Sequence, residues 1–182
     1  MIKVIAGTYR SRILETPDEG TLPTKNRVRE AMLSSLGDRI EGSSVLDLFA
    51  GSGALGIETL SRGASNCLFV EKSVQAAKVV EGNLRALKES KGQVWNCDYL
   101  VALSRAKKEG RRFDIVFLDP PYAMKDSYQL SVDFLLNEGL LNPEATLILE
   151  YEGKIPFENR GFPFERNYNY GKTNVLALRR VL

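Results

Sequence analysis

The sequence predicts an α/β fold in which helices cover both faces of a mostly parallel sheet. Apolar runs of strand length alternate with helical patterns from residue 44 onwards. A glycine-rich turn joins the first run to the first helix, and the last two runs have no helix between them. Strands joined through helices pair in parallel, whereas a short connection makes an antiparallel hairpin. We therefore predict a doubly wound, seven-stranded sheet with a C-terminal antiparallel hairpin.

The N-terminal part precedes this alternation and is expected to form a small extension. Two short apolar stretches and a polar loop over residues 1–25 predict a β-hairpin or arm. Apolar residues between 28 and 36 have helical spacing, and Gly37 ends that helix. The predicted division is an arm, hairpin and helix over 1–40, which would cover RNA or cofactor, and a larger domain over 41–182.

Each strand of the larger domain is predicted by its own apolar run. The predicted strands are 45–49, 67–70, 93–97, 113–118, 145–149, 166–170 and 174–179. Helical spacing of leucine, alanine and valine fills the intervals between the first five strands, and Ser73 is a candidate N-cap. The final two strands flank Gly171, which marks the hairpin turn.

The composition narrows the function classes. The 182 residues contain no histidine, which excludes Ser–His and Cys–His nucleophiles and the usual histidine-containing zinc sites. Cys67 and Cys97 lie in apolar runs and are expected to be reduced thiols of a cytoplasmic protein, and no metal is expected. Every apolar run is shorter than the roughly 20 residues of a membrane span. The net charge of +2 permits a polyanionic partner without requiring one.

The segment Asp119-Pro120-Pro121-Tyr122 directly follows the predicted strand 113–118. Ligands of open α/β sheets bind at this carboxyl edge of the strands. The two prolines stiffen the loop, so its carboxylate and its ring are held in place. A carboxylate that accepts N–H and a ring that stacks would suit a flat group bearing an amino nitrogen. We therefore expect catalytic roles for Asp119, the Pro120 carbonyl and Tyr122.

A second motif, Gly51-Ser52-Gly53-Ala54-Leu55-Gly56, follows the first strand and precedes a helix. Together with Glu71 at the end of the next strand, it has the pattern of a nucleotide-binding turn, in which the acid binds ribose hydroxyls. Asp47 lies four residues before the first glycine, where a carboxylate would repel a pyrophosphate. It would suit an ammonium or sulfonium group, and S-adenosylmethionine has both.

A third strand ends at Asn96-Cys97-Asp98-Tyr99, at the same edge of the sheet. Asp98 could accept from an adenine amino group or cap the next helix, and Tyr99 could flank the adenine ring. The candidate cofactor-binding residues are Asp47, Phe49, Gly51, Ser52, Gly53, Glu71, Lys72, Asp98, Tyr99 and Asp119.

This order of motifs resembles the class I S-adenosylmethionine-dependent methyltransferases, with their Rossmann-like fold. Residues 7–14 and 22–30, with Tyr170-Gly171-Lys172-Thr173, are similar to the bacterial RsmD family, although Leu22 replaces its usual arginine. The resemblance implies methylation of a guanine N2 amino group in 16S ribosomal RNA. The expected substrate is this RNA within an assembling small ribosomal subunit, and the protein is expected to be a monomer. The candidate RNA-binding residues are Arg10, Arg12, Thr24, Arg27 and Lys172.

Three other functions stay open at this point. A DNA adenine-N6 or protein glutamine N-methyltransferase can share the Asp-Pro-Pro-Tyr pattern. A nicotinamide-dependent oxidoreductase would use Gly51–Gly56 but leave Asp47 and the Asp-Pro-Pro-Tyr loop unexplained. A non-catalytic RNA-binding factor for ribosome assembly would need neither Asp119 nor Tyr122.

Overall fold

A computed structural model describes residues 1–17 and 23–181, in which nine strands and five α-helices are found. Seven strands form one sheet in the order β5-β4-β3-β6-β7-β9-β8. The strands from β5 to β7 pair in parallel, while β9 pairs antiparallel with both β7 and β8. This architecture confirms the predicted fold class.

The elements follow the predicted alternation. The N-terminal extension contains β1 (Ile2–Lys3), β2 (Ile13–Leu14), α1 (Pro23–Leu36) and a 3-10 turn at Gly37–Arg39. The parallel part contains β3 (Ser44–Asp47), α2 (Ala54–Ser61), β4 (Asn66–Val70), α3 (Val74–Leu87), β5 (Gly92–Trp95), α4 (Tyr99–Lys108), β6 (Phe113–Leu118) and α5 (Asp126–Asn137). The last three strands are β7 (Leu141–Glu152), β8 (Phe164–Tyr170) and β9 (Thr173–Arg179).

The chain reverses its direction across the sheet at β3. From β3 it proceeds outward through β4 to β5, and it then returns to add β6 on the other side of β3. The loops after β3 and β6 therefore diverge and leave a crevice at the carboxyl edge, which is where open α/β sheets bind ligands. The glycine turn and the Asp-Pro-Pro-Tyr loop are these two loops.

The bounds of six strands differ from the prediction, and the differences at the ends of β5 and β7 concern the site. β5 ends at Trp95, so Cys97 lies beyond it, because Asp98 already caps α4 by accepting from Leu100 N–H at 3.0 Å. β7 runs on to Glu152, three residues past the prediction, because its pairing with β9 continues beyond the end of β6. The extension of β7 brings two additional acids, Glu150 and Glu152, to the carboxyl edge.

The described part of residues 1–40 shares a hydrophobic core with one face of the sheet. Val4, Leu14, Met32 and Leu33 are almost fully buried and pack in one cluster with side chains of β3, α2 and α3. The other face has its own cluster around α4 and α5. Within the described residues, no helix combines the length and the apolar character that a membrane span requires.

The N-terminal arm is also attached through polar contacts with α2. The buried Glu58 carboxylate accepts hydrogen bonds from Ile5 N–H and Ala6 N–H. Thr8 N–H donates to the Ser61 carbonyl at 2.8 Å. Gly7 permits this close approach, because a Cβ built there would lie 1.9 Å from the Ser61 oxygen, and its φ of +83° is one that L side chains rarely adopt.

Candidate active site

A cavity of about 580 Å³ occupies the carboxyl edge of the sheet. Its volume is within the range of small-molecule sites. The lining brings together ten of the residues predicted for catalysis or cofactor binding: Phe49, Gly51, Ser52, Glu71, Lys72, Asp98, Tyr99, Asp119, Pro120 and Tyr122. The sequence therefore located both walls of one cavity, although the two motifs are far apart along the chain.

The glycine turn is held in shape by two carboxylates. Gly51 and Gly53 have φ values of +58° and +80°, which favour glycine. Gly51 N–H donates to Glu71 Oε2 at 2.8 Å, and the other Glu71 oxygen accepts from Ser73 N–H at 2.9 Å. Glu71 therefore anchors the turn and also lines the cavity. Gly53 lies at the N-cap position of α2, with Val80 packed closely against its Cα.

Asp47 is only 2% exposed and lies beneath the glycine turn. Its Oδ2 accepts from Gly56 N–H at 3.1 Å. Burial raises the pKa of Asp47 from its ordinary 3.8 to about 7; the Gly56 hydrogen bond lowers it and the charge of Glu71 raises it further. An ionised carboxylate at this depth is destabilised, so a cation bound above the turn would favour its charged form.

We expect Asp47→Asn to stabilise the ligand-free protein at alkaline pH. Folding raises the pKa of the Asp47 carboxyl, so the folded protein is favoured most when this carboxyl is protonated. That stability is fully present below the pKa of the unfolded chain and is lost as the pH rises through about 7. A shift of this size corresponds to about 4 kcal/mol at full ionisation. In urea unfolding, the free energy of unfolding of Asp47→Asn should exceed that of the wild type at pH 8 but not at pH 4. A difference that is equal at both pH values would contradict the assigned burial cost.

Two aromatic rings also line the cavity. The rings of Phe49 and Tyr99 have centroids 5.2 Å apart and are tilted by 40°. Asp98 caps α4 and also lines the cavity. Asn96 ties the β5 end to the β4 end, because its side chain donates to the Glu71 carbonyl at 2.8 Å. These rings could pack against a flat heterocycle, and the Asp98 carboxylate could accept a hydrogen bond from its amino group.

The Asp-Pro-Pro-Tyr loop forms the wall beside β6. Asp119 lines the cavity and is exposed there, although many protein atoms surround its carboxyl. Desolvation, followed by the negative charge of Glu150 and a hydrogen bond with it, raises the pKa of Asp119 well above its ordinary value. Tyr122 is 60% exposed, and its hydroxyl donates to Glu152 Oε1 at 2.8 Å. The ring therefore lies at the mouth of the cavity in a fixed position.

Several cavity residues were not predicted from the sequence. Glu150 at the end of β7 and Lys25, Asn26 and Arg29 on α1 line the same cavity. Arg29 is buried and donates to the Lys3 carbonyl at 2.8 Å. A sequence signal existed for the α1 residues, since they lie within the segment that resembles the RsmD family. Glu150 carried no comparable signal.

The predicted RNA-binding residues lie outside this lining, as far as the described residues show. Arg10, Arg27 and Lys172 are exposed on the arm, on α1 and in the β8–β9 turn. Arg12 donates to the Ala86 carbonyl at 3.0 Å, near the C-terminus of α3. Leu22 and the side chain of Thr24 lie outside the described part. No cluster of metal-ligating side chains occurs within residues 1–17 and 23–181.

The sequence is similar to known proteins over nearly its whole length. A family model described as Conserved hypothetical protein 95 matches residues 2–179. The Bacillus subtilis protein YlbH is 34% identical over 184 residues, covering 98% of this chain and 99% of that protein. A relative named Ribosomal RNA small subunit methyltransferase D, from Escherichia coli K12, is 36% identical over 152 residues, covering 83% and 75%. The Haemophilus influenzae relative of the same name is 37% identical over 158 residues, covering 85% and 81%.

Solved structures share the fold. The Escherichia coli protein yhhF superposes with a TM-score of 0.88 at 31% identity, covering 99% of this chain and 98% of that one. An RNA methyltransferase from Salinibacter ruber, solved with S-adenosyl-L-homocysteine, has a TM-score of 0.65 at 15% identity, covering 88% and 94%, and shows the fold alone. The sheet order and the cavity define a class I methyltransferase, the class that uses S-adenosylmethionine, as predicted. The chain belongs to the RsmD family, which confirms the resemblance.

Proposed function

We propose that this protein transfers a methyl group from S-adenosylmethionine to the N2 amino group of a guanine in 16S ribosomal RNA. The observation that carries the proposal is that Asp119, Pro120 and Tyr122 share one cavity with the glycine turn. A methyl donor held at the turn would therefore face an amino group held at the Asp-Pro-Pro-Tyr loop. The names of the Escherichia coli and Haemophilus influenzae relatives support ribosomal RNA as the substrate. The family resemblance supports the guanine N2 position.

The cavity residues fit S-adenosylmethionine. Glu71 would present a carboxylate to ribose hydroxyls, and Asp98 would present one to an adenine amino group, because both line the cavity with the Phe49 and Tyr99 rings. Asp47 lies buried beneath the turn, where its negative charge favours a cationic ligand. Each of these contacts is a proposal. They separate donor binding from methyl transfer, because Glu71 and Asp98 would bind the donor and Asp119 would bind the acceptor.

When bound at the glycine turn, S-adenosylmethionine would supply an electrophilic methyl group; its carbon–sulfur bond would break as the carbon–N2 bond forms, leaving a neutral thioether, and one N2 proton would pass to water. The guanine amino lone pair is delocalised into the ring. Asp119 and the Pro120 carbonyl would accept its N–H groups, localise that lone pair and orient it towards the donor side of the cavity. Tyr122 would stack on the base after the base leaves its helix, which costs less in an RNA loop than in a duplex.

One experiment tests the proposed reaction. The protein is incubated with labelled S-adenosylmethionine and unmodified small subunits, naked 16S ribosomal RNA, or DNA, and the labelled nucleoside is identified. We expect N2-methylguanine in ribosomal RNA. N6-methyladenine would overturn the guanine assignment, and tight RNA binding with no transfer would favour a non-catalytic assembly factor. The same assay tests the proposed substrate form, and size-exclusion chromatography tests the proposed monomer.

Tyr122→Ala is expected to weaken the use of RNA, because base stacking on an aromatic ring contributes about 1–3 kcal/mol. The expected result is a fall in kcat/KM on the order of ten- to a hundredfold, measured with small subunits at saturating S-adenosylmethionine. Tyr122→Phe keeps the ring and removes only the hydrogen bond to Glu152. It should retain most of the activity, and equal losses in both variants would exclude stacking as the role of the ring.

A further inference from the structure

We propose that Glu150 determines the base specificity of this site by accepting a hydrogen bond from guanine N1–H, beside Asp119, which accepts from N2–H. The inference rests on the proposed function, because it names a residue that would select guanine for that reaction. Glu150 lies at the end of β7 and lines the cavity together with Asp119, Pro120 and Tyr122. No sequence motif indicated it.

The sheet register places the two carboxyls side by side. β6 and β7 pair in parallel, with Leu118 opposite Leu149. The next residues are therefore also neighbours: Asp119, just past the end of β6, and Glu150 on β7. Neighbouring strands are about 4.8 Å apart, which allows two such side chains to meet. Each of the two carboxyls influences the pKa of the other, as expected of acids in close proximity. The Tyr128 hydroxyl donates to the Glu150 backbone carbonyl and fixes the strand end beneath them.

The charges around the pair act on it in opposite directions. Two acids this close to one another disfavour ionising together. Lys25 on α1 faces both carboxyls, and Asp47, Glu152 and the Tyr122 and Tyr128 hydroxyls lie near them. The nearby acids disfavour a second negative charge, and Lys25 stabilises the first. The pair therefore presents carboxyl oxygens to the cavity, where they can accept N–H groups.

Guanine and adenine differ at the edge that would meet this pair. Guanine presents N1–H and the N2 amino group next to each other, so two acceptor oxygens on adjacent strands suit it. Adenine presents its amino group beside the N1 lone pair, which a carboxylate oxygen would repel. A polar group that loses water on binding without gaining a partner slows the reaction strongly. A second acid beside Asp119 therefore favours guanine, which Asp119 alone would not do.

The test replaces the target guanine by 2-aminopurine, which keeps the N2 amino group but carries a lone pair at N1. Small subunits are reconstituted on 16S ribosomal RNA with either base at the methylated position. The wild type should methylate 2-aminopurine on the order of ten- to a hundredfold more slowly, as expected for losing a hydrogen bond to a charged acceptor. Glu150→Gln should reduce this preference on the order of tenfold, because a glutamine amide can donate to the N1 lone pair.

The preference is a ratio measured within one protein, so a loss of folded material does not change it. Glu144→Gln makes the same chemical change at an exposed position of β7 and should keep the wild-type ratio. An unchanged ratio in an active Glu150→Gln variant would overturn the role of Glu150 alone. Equal wild-type rates on the two bases would overturn it even if the variant failed to fold. Absence of transfer to guanine by the wild type would overturn the proposed function itself.

Discussion

Asp119→Ala is expected to lower turnover on unmodified small subunits on the order of 10²–10³-fold, the usual effect of removing one polar group that stabilises a transition state. Asp119 lies at the cavity wall, held between the stiff Pro120-Pro121 segment and Glu150. Its loss would leave the amino group without its acceptor and without its orientation. Single-turnover methyl transfer, measured with saturating S-adenosylmethionine, reports this step directly. The affinity for S-adenosylmethionine should change little, because Glu71 and Asp98 hold the proposed donor side.

Two further variants show whether the effect belongs to the acceptor role. Asp119→Asn retains a carbonyl oxygen that accepts N–H, so it should keep more activity than Asp119→Ala. Asp126→Ala removes an exposed carboxylate in the first turn of α5 and should leave turnover near the wild-type value. Near wild-type turnover in Asp119→Ala would show that the acceptor is another group. A parallel loss of S-adenosylmethionine affinity would place Asp119 on the donor side instead.

The fold was predictable because apolar periodicity is a local property of the chain. Each strand from β3 to β6 carries its own apolar run, and the helices between them carry helical spacing, so the alternation alone specified a parallel sheet. The length of β7 was not predictable in this way. Its last residues, Glu150 and Glu152, are polar, and they continue the strand because β9 pairs with them. Pairing with a distant strand leaves no pattern in the local sequence.

The candidate site also has a part that was predictable from the sequence and a part that was not. Glycines with positive φ and a double proline constrain the backbone within a few residues, so the glycine turn and the Asp-Pro-Pro-Tyr loop were visible in the sequence. Glu150 becomes part of the site only through the register between β6 and β7. The depth of Asp47 also depends on packing around the turn, since an acid at the end of a strand can point into a crevice or beneath a loop. Its burial therefore had to come from the structure.

Glu58 is a third acid, after Glu150 and Asp47, whose role became visible only in the structure. Its loss should have the largest effect on stability. The carboxylate is 1% exposed on α2 and accepts from Ile5 and Ala6, with Arg62 Nη2 at 3.7 Å. Burial raises its pKa, although these amides and the charges of Arg62 and Arg29 favour the ionised form. Glu58→Ala would leave two amides and nearby guanidinium groups without this acceptor. We expect it to lower the free energy of unfolding by about 3–5 kcal/mol, as measured by urea unfolding at pH 7.

The effect of Glu58→Ala should be concentrated in the arm. Amide hydrogen exchange at Ile5, Ala6 and Thr8 should accelerate more than exchange in β3 or β6, because Glu58 binds the arm directly. Glu58→Gln keeps one acceptor oxygen and should cost less than alanine. Glu81→Ala removes an exposed carboxylate from α3 and should change stability by less than about 0.5 kcal/mol. If Glu58→Ala behaved like Glu81→Ala, the apolar contacts and the remaining hydrogen bonds of the arm would suffice to hold it, and Glu58 would only occupy space beneath it.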